Sequence, residues 1–179
     1  MGALPRPAIT QQAAQRVVHW RFPSCKFRFL HPKYRARHKC FYGGRGGAKS
    51  HSAARMALVL ADKRRMRILC TRQIQVSIAE SMYRLLVILI EEMGLTDRFQ
   101  VLRSEIRNLH TGSVFIFRGL ADVKSMESID LAIIEEAQQV TKDNMDRLIP
   151  TMRKRGSQMW WLWNPENDED AVQAYFLGN

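Results

Sequence analysis

The run Gly43-Gly44-Arg45-Gly46-Gly47-Ala48-Lys49-Ser50 holds the residue types that a polyphosphate requires. Glycines let successive backbone N–H groups turn inward onto phosphate oxygens, and a helix starting at the end of the run adds the positive end of its dipole. Lys49 would then neutralise the β and γ phosphates of ATP, and the Ser50 hydroxyl would bind Mg2+. The usual spacing, GxxxxGK[ST], has glycine where this chain has Ala48. Alanine is expected to take a near-helical conformation there, which makes the run a variant of the phosphate-binding loop. The competing reading is a glycine-rich turn that binds nothing.

Hydrolysis needs carboxylates at the end of a neighbouring strand, and Ile129 to Glu136 supplies them. Glu135 would hold the metal side, and Glu136 would polarise the attacking water. Taken alone, the two acids also suit the solvated cap of a following helix. A third candidate is Asn164, which ends an apolar run at Trp163-Asn164-Pro165 and could sense the γ-phosphate or orient water. Asn-Pro is also a common turn.

These residues need elements to carry them. Lys39 to Tyr42 reads as a short strand entering the loop. After it, Ala53, Met56, Ala57 and Leu60 recur at helical spacing, so a helix should run to about Asp62. Met66 to Thr71 reads as the next strand. Ile78, Met82, Leu85, Leu86, Leu89 and Met93 then share one helical face, and Gly94 is a stop signal. Glu105 to His110 and Ser113 to Arg118 predict a hairpin turning at Thr111-Gly112. Leu131 to Ile134 is a buried strand, Lys142 to Arg153 a helix and Gln158 to Trp163 a last strand. The alternation predicts an α/β fold, a P-loop NTPase with a mainly parallel central sheet flanked by helices. Residues 1–36, with Pro5, Pro7, Pro23 and Pro32 and one short helix near Thr10 to His19, form a lead-in segment to a domain at 37–179.

A chain of 179 residues suits one such domain. Its net charge is +11, and the excess lies at the front: the first 72 residues hold 17 basic side chains and one acid, Asp62. That asymmetry favours a polyanionic partner, although a solvated cationic face would look the same. Cys25, Cys40 and Cys70 lack CxxC spacing, which argues against a disulfide framework, and the gaps among Cys25, His31, His38 and Cys40 do not suit zinc. The apolar run Leu85 to Ile90 is too short to span a bilayer, the N-terminus has no apolar signal core, and the expected location is cytoplasmic.

Phe41 to Ser50, followed by Ile134-Glu135-Glu136-Ala137 and Asn164-Pro165, resembles the ATPase domain of phage terminase large subunits. Ile68 to Gln73 resembles that family's strand ending in arginine, and Asn108 to Leu120 resembles its hairpin, so the likeness covers about residues 40 to 165. The resemblance implies an ATP-driven translocase of double-stranded DNA that assembles as a ring on the capsid portal protein, usually with a terminase small subunit. It makes Arg45 and Arg72 candidates for stabilising phosphate charge in the transition state, and it places adenine near Pro32, Tyr34 and Arg35.

The family continues into a nuclease domain. Asp168, Glu169 and Asp170 are adjacent acids that read as a solvated loop, so this segment is expected to hydrolyse ATP without cutting DNA. Two alternatives share part of the pattern: another nucleic-acid-dependent P-loop motor such as a helicase, and a nucleotide-gated DNA-binding module that does not hydrolyse ATP. Glu136 separates the second from an ATPase, because binding alone needs no catalytic carboxylate.

Overall fold

A computed structural model describes Leu30 and residues 33–73, 79–126, 128–167 and 169–178. The helix expected near Thr10 to His19, together with Cys25, His31, Pro32, Ile78 and Asp168, lies outside the described residues. Seven strands form one sheet: β1 (His38–Tyr42), β2 (Arg67–Arg72), β3 (Phe99–Val101), β4 (Glu105–Asn108), β5 (Val114–Gly119), β6 (Leu131–Ile134) and β7 (Gln158–Trp163). Their spatial order is β1-β7-β6-β2-β5-β4-β3. The first five in that order are parallel to one another, and β4 and β3 extend the sheet antiparallel.

Successive side chains on a strand point to opposite faces, and the core divides accordingly. Ile68, Ile133, Trp160 and Leu162 face one cluster, with Ala53, Ala57 and Leu60 of α1 (Lys49–Lys63) and Leu86 and Leu89 of α2 (Arg84–Glu92). Leu69, Ala132, Ile134, Trp161 and Trp163 face the other, with Met145 and Leu148 of α3 (Lys142–Thr151) and Val172 of α4 (Ala171–Leu177). Because both faces are covered, β6 is buried at every residue, which is why it reads as a continuous apolar run.

The predicted α/β sandwich is therefore the observed fold. Three local differences are observed. The helix expected from about Ile78 to Met93 opens with a π-helical turn, Ala79–Tyr83, and continues as α2. The hairpin closes earlier than expected because Asn108 Oδ1 accepts from the N–H groups of His110 and Thr111. The strand β3 and the helix α4 are only three and seven residues long, too short for periodicity to reveal. Gly94 ends α2 as expected, at φ 62°, with Leu95 N–H donating to Ile90 O. Among the described residues no helix is long and apolar enough to cross a membrane.

Candidate nucleotide site

The parallel strands β1, β7, β6 and β2 deliver their C-terminal ends to one edge, and their registers bring Tyr42 beside Trp163, Ile134 beside Trp161 and Thr71 beside Ile134. The residues that follow each strand line a cleft of about 530 Å3 there. The loop residues Arg45 to Ser50 form one wall, and Arg72, Glu135, Glu136 and Asn164 come from β2, β6 and β7. Candidates separated by more than a hundred residues in sequence thus share one cavity.

Within the loop, Gly43 has φ 146° and Gly46 φ 76°, conformations that side chains disfavour. Ala48 departs from its expected near-helical geometry: it is left-handed, at φ 54° and ψ 24°, immediately before the first residue of α1. Glycine takes this conformation without strain, whereas for an L-residue it costs about 1–2 kcal/mol. The loop tolerates the alanine at that cost.

Lys49 Nζ donates to Gly43 O at 2.8 Å, to Gly44 O at 3.0 Å and to Asn164 Oδ1 at 2.7 Å. The ammonium is thereby held at the centre of the loop, and its partial burial lowers its pKa from the ordinary lysine value. Asn164, at the end of β7, thus touches the loop lysine directly.

The two acids have different environments. Glu135 is buried and its Oε2 accepts from Ser81 Oγ at 2.8 Å. Glu136 is left-handed, at φ 45° and ψ 49°, and its Oε2 lies 2.8 Å from Arg72 Nη2. The ion pair ties the partly exposed Glu136 to the end of β2, while Glu135 stays buried. Behind them, burial and the neighbouring Glu135 carboxylate push the Cys70 thiol well above its ordinary pKa, so it stays protonated.

Ser50 and Glu135 both line the cleft and offer hard oxygen donors, which suits Mg2+. Among the described residues no group of three or more His, Cys, Asp or Glu side chains is placed to hold a metal. Mg2+ here would draw its remaining ligands from substrate phosphates and water, as is usual for this ion.

Tyr34 and Arg35 do not reach the cleft. They precede β1, whose five residues run toward the loop, so roughly 16 Å of extended chain separates them from it. Arg35 instead lines a second concavity with Arg64, Arg65 and Arg155. Ser81 and His51 line the nucleotide cleft and were not singled out by sequence. His51 follows Ser50 directly and could have been found; Ser81 carries no local motif.

Residues 35–179 match the model of the phage terminase large subunit family. The chain belongs to this family. It is similar to the PBSX phage terminase large subunit of Bacillus subtilis (strain 168), 34% identical over 116 residues, a match covering 62% of this chain and 27% of that protein. The chain therefore spans about a quarter of this curated terminase. Its fold resembles that of a large terminase from a thermophilic bacteriophage, solved in complex with ADP, with a TM-score of 0.69 and 10% identity over 86% of this chain and 42% of that one. It also resembles the N-terminal domain of the DNA packaging ATPase from bacteriophage phi29, with a TM-score of 0.62 and 11% identity over 82% of each chain.

Proposed function

We propose that this terminase segment hydrolyses ATP in a Mg2+-dependent reaction and uses it to drive double-stranded viral DNA into a procapsid. The observation that carries the reading is the convergence of Lys49, Glu135, Glu136 and Asn164 on one cleft at the strand ends. On nucleotide entry, Lys49 exchanges the carbonyls of Gly43 and Gly44 for phosphate oxygens, and the loop N–H groups hold the polyphosphate. Bound Mg2+ would neutralise charge on the β and γ phosphates, with Ser50 and Glu135 on its protein side. Glu136, released from Arg72, accepts a proton from the attacking water, and the freed Arg72 and the loop's Arg45 stabilise charge on the transferring phosphoryl group.

Family membership supports the packaging role, and the phi29 relative is itself described as a DNA packaging ATPase. On this reading the segment works in the host cytoplasm, within a ring of identical subunits docked on the portal protein and served by a terminase small subunit. The test is ATP turnover by the wild-type chain with Mg2+, with duplex DNA and portal added, beside Lys49→Ala. Turnover should require Mg2+ and vanish in the variant; full turnover by Lys49→Ala would refute the assignment of the cleft.

A further inference from the structure

At the other end of the sheet, a concavity of about 440 Å3 is lined by Arg35, Arg64, Arg65 and Arg155, together with Asp130. Arg35 precedes β1, Arg64 and Arg65 join α1 to β2, and Arg155 lies in the turn ahead of β7. All four are exposed, and among the described residues none of their guanidinium groups has an ion-pair or hydrogen-bond partner. Asp130 does not compensate them. Its Oδ1 lies 2.6 Å from Lys154 Nζ, and its Oδ2 accepts from the Arg67 N–H at 2.9 Å. Four unpaired cations around one hollow repel one another, and an anion placed among them would relieve that repulsion.

The ligand class follows from the lining. Guanidinium groups offer planar pairs of donors that match phosphate oxygens. Among the described residues the lining has no aromatic side chain, so it lacks the stacking surfaces that hold the bases of single strands. On the motor reading, the phosphate-bearing partner that suits such a lining is the backbone of a duplex. We infer that this arginine groove grips the phosphate backbone of double-stranded DNA, at the opposite end of the sheet from the nucleotide.

This inference rests on the motor reading and adds a route for coupling. The helix α1 runs from Lys49 for 15 residues, about 22 Å, and hands directly to Arg64 and Arg65. The strand β7 starts three residues after Arg155 and ends beside Asn164. The far ends of these two elements are joined by the 2.7 Å hydrogen bond from Lys49 to Asn164. An exchange of partners at Lys49 therefore acts on the two elements that adjoin three of the groove's four arginines, Arg64, Arg65 and Arg155.

The test compares the 179-residue wild-type chain with a triple variant, Arg64→Gln, Arg65→Gln and Arg155→Gln, in binding to a short duplex across a salt series. A control triple, Arg84→Gln, Lys142→Gln and Arg147→Gln, removes the same charge from other exposed sites. Loss of three phosphate contacts should lower the slope of log affinity against log salt by about 2–3 and weaken binding at least tenfold near 0.1 M salt. The control should keep the wild-type slope. Unchanged DNA binding by the groove variant overturns the groove and leaves the motor reading standing. Wild-type protein that turns over ATP but binds no duplex overturns the groove and the DNA part of the motor reading together. Preference of the groove for polyglutamate over duplex DNA overturns it in favour of an acidic protein partner. ATP affinity, measured in parallel, reports the cleft separately and should be equal in all three proteins.

Discussion

Arg72 and Glu136 meet across the adjoining ends of β2 and β6, where a guanidinium nitrogen lies 2.8 Å from a carboxylate oxygen. The arginine is mostly covered and the glutamate is 39% exposed, so the pair is worth no more than about 1 kcal/mol. That is weak enough for a triphosphate to separate the two. If Glu136 is the general base, Glu136→Gln should leave ATP affinity within about threefold and lower kcat by roughly 10²–10⁴-fold. Adding Arg72→Ala to that variant should lower kcat further, because on the proposed reading the arginine acts on phosphoryl charge independently of the base. Single-turnover measurements decide it; normal turnover by Glu136→Gln would place the base elsewhere.

The left-handed Ala48 makes a prediction about stability that is separate from chemistry. Ala48→Gly removes the strain of φ 54° but adds freedom to the unfolded chain, so the expected net gain is up to about 1 kcal/mol with ATP turnover retained. Ala48→Val adds a β-branched side chain to a conformation it strongly disfavours, and should lose both stability and nucleotide binding. Chemical denaturation and nucleotide titration measure the two effects. A less stable Ala48→Gly would mean that the methyl group has packing value outweighing the strain.

How far the sequence revealed this molecule depends on the range of each signal. The strand Leu131–Ile134 and the helix Lys49–Lys63 were legible because burial on both faces, or on one helical stripe, leaves a local pattern. That Lys49, Glu135, Glu136 and Asn164 would meet at one edge was legible because Lys49 begins a helix and the other three follow strands. Ser81 was not, because its meeting with Glu135 depends on a π-helical turn and on residues 54 apart in the chain. Tyr34 and Arg35, offered as adenine contacts, lie outside the lining of the cleft, because nearness to the loop in sequence ignores the direction of β1. The handedness of Ala48 is a property of the backbone path that residue type does not reveal.

If Glu135 holds Mg2+ as proposed, Ser81 acts as a positioning residue, since its hydroxyl donates to that carboxylate. Ser81→Ala should free the Glu135 carboxylate, lower kcat by about tenfold and raise the Mg2+ concentration needed for half-maximal turnover, on the scale expected when a supporting contact to a metal ligand is lost. Binding of nucleotide without metal should not change. Ser81→Thr, which keeps the hydroxyl, should restore both kcat and the Mg2+ response. An alanine variant with a wild-type Mg2+ response would show that the hydrogen bond does not set the carboxylate.

Lys39 offers a test of the core just upstream of the loop. It is only 6% exposed; its Nζ reaches Leu30 O at 3.5 Å and lies 5.7 Å from the centroid of the Trp160 ring, and among the described residues no carboxylate pairs with it. Burial lowers its pKa from 10.5 to about 8. Between those values the unfolded chain binds more protons at this site than the folded one, so stability contributed here rises with pH through that window. Below about 8 the folded protein carries the full penalty of a buried charge. Lys39→Met keeps the apolar stem and removes the charge, so it should stabilise the protein by about 1–3 kcal/mol at pH 7. The advantage should shrink as pH rises past about 8 and disappear above about 10.5, where the wild-type amine is neutral in both states. Denaturant unfolding of the two proteins at matched pH values isolates this group from the others titrating nearby. A variant that is less stable than wild type at pH 7 would mean that the Leu30 carbonyl and the Trp160 ring fully compensate the buried ammonium.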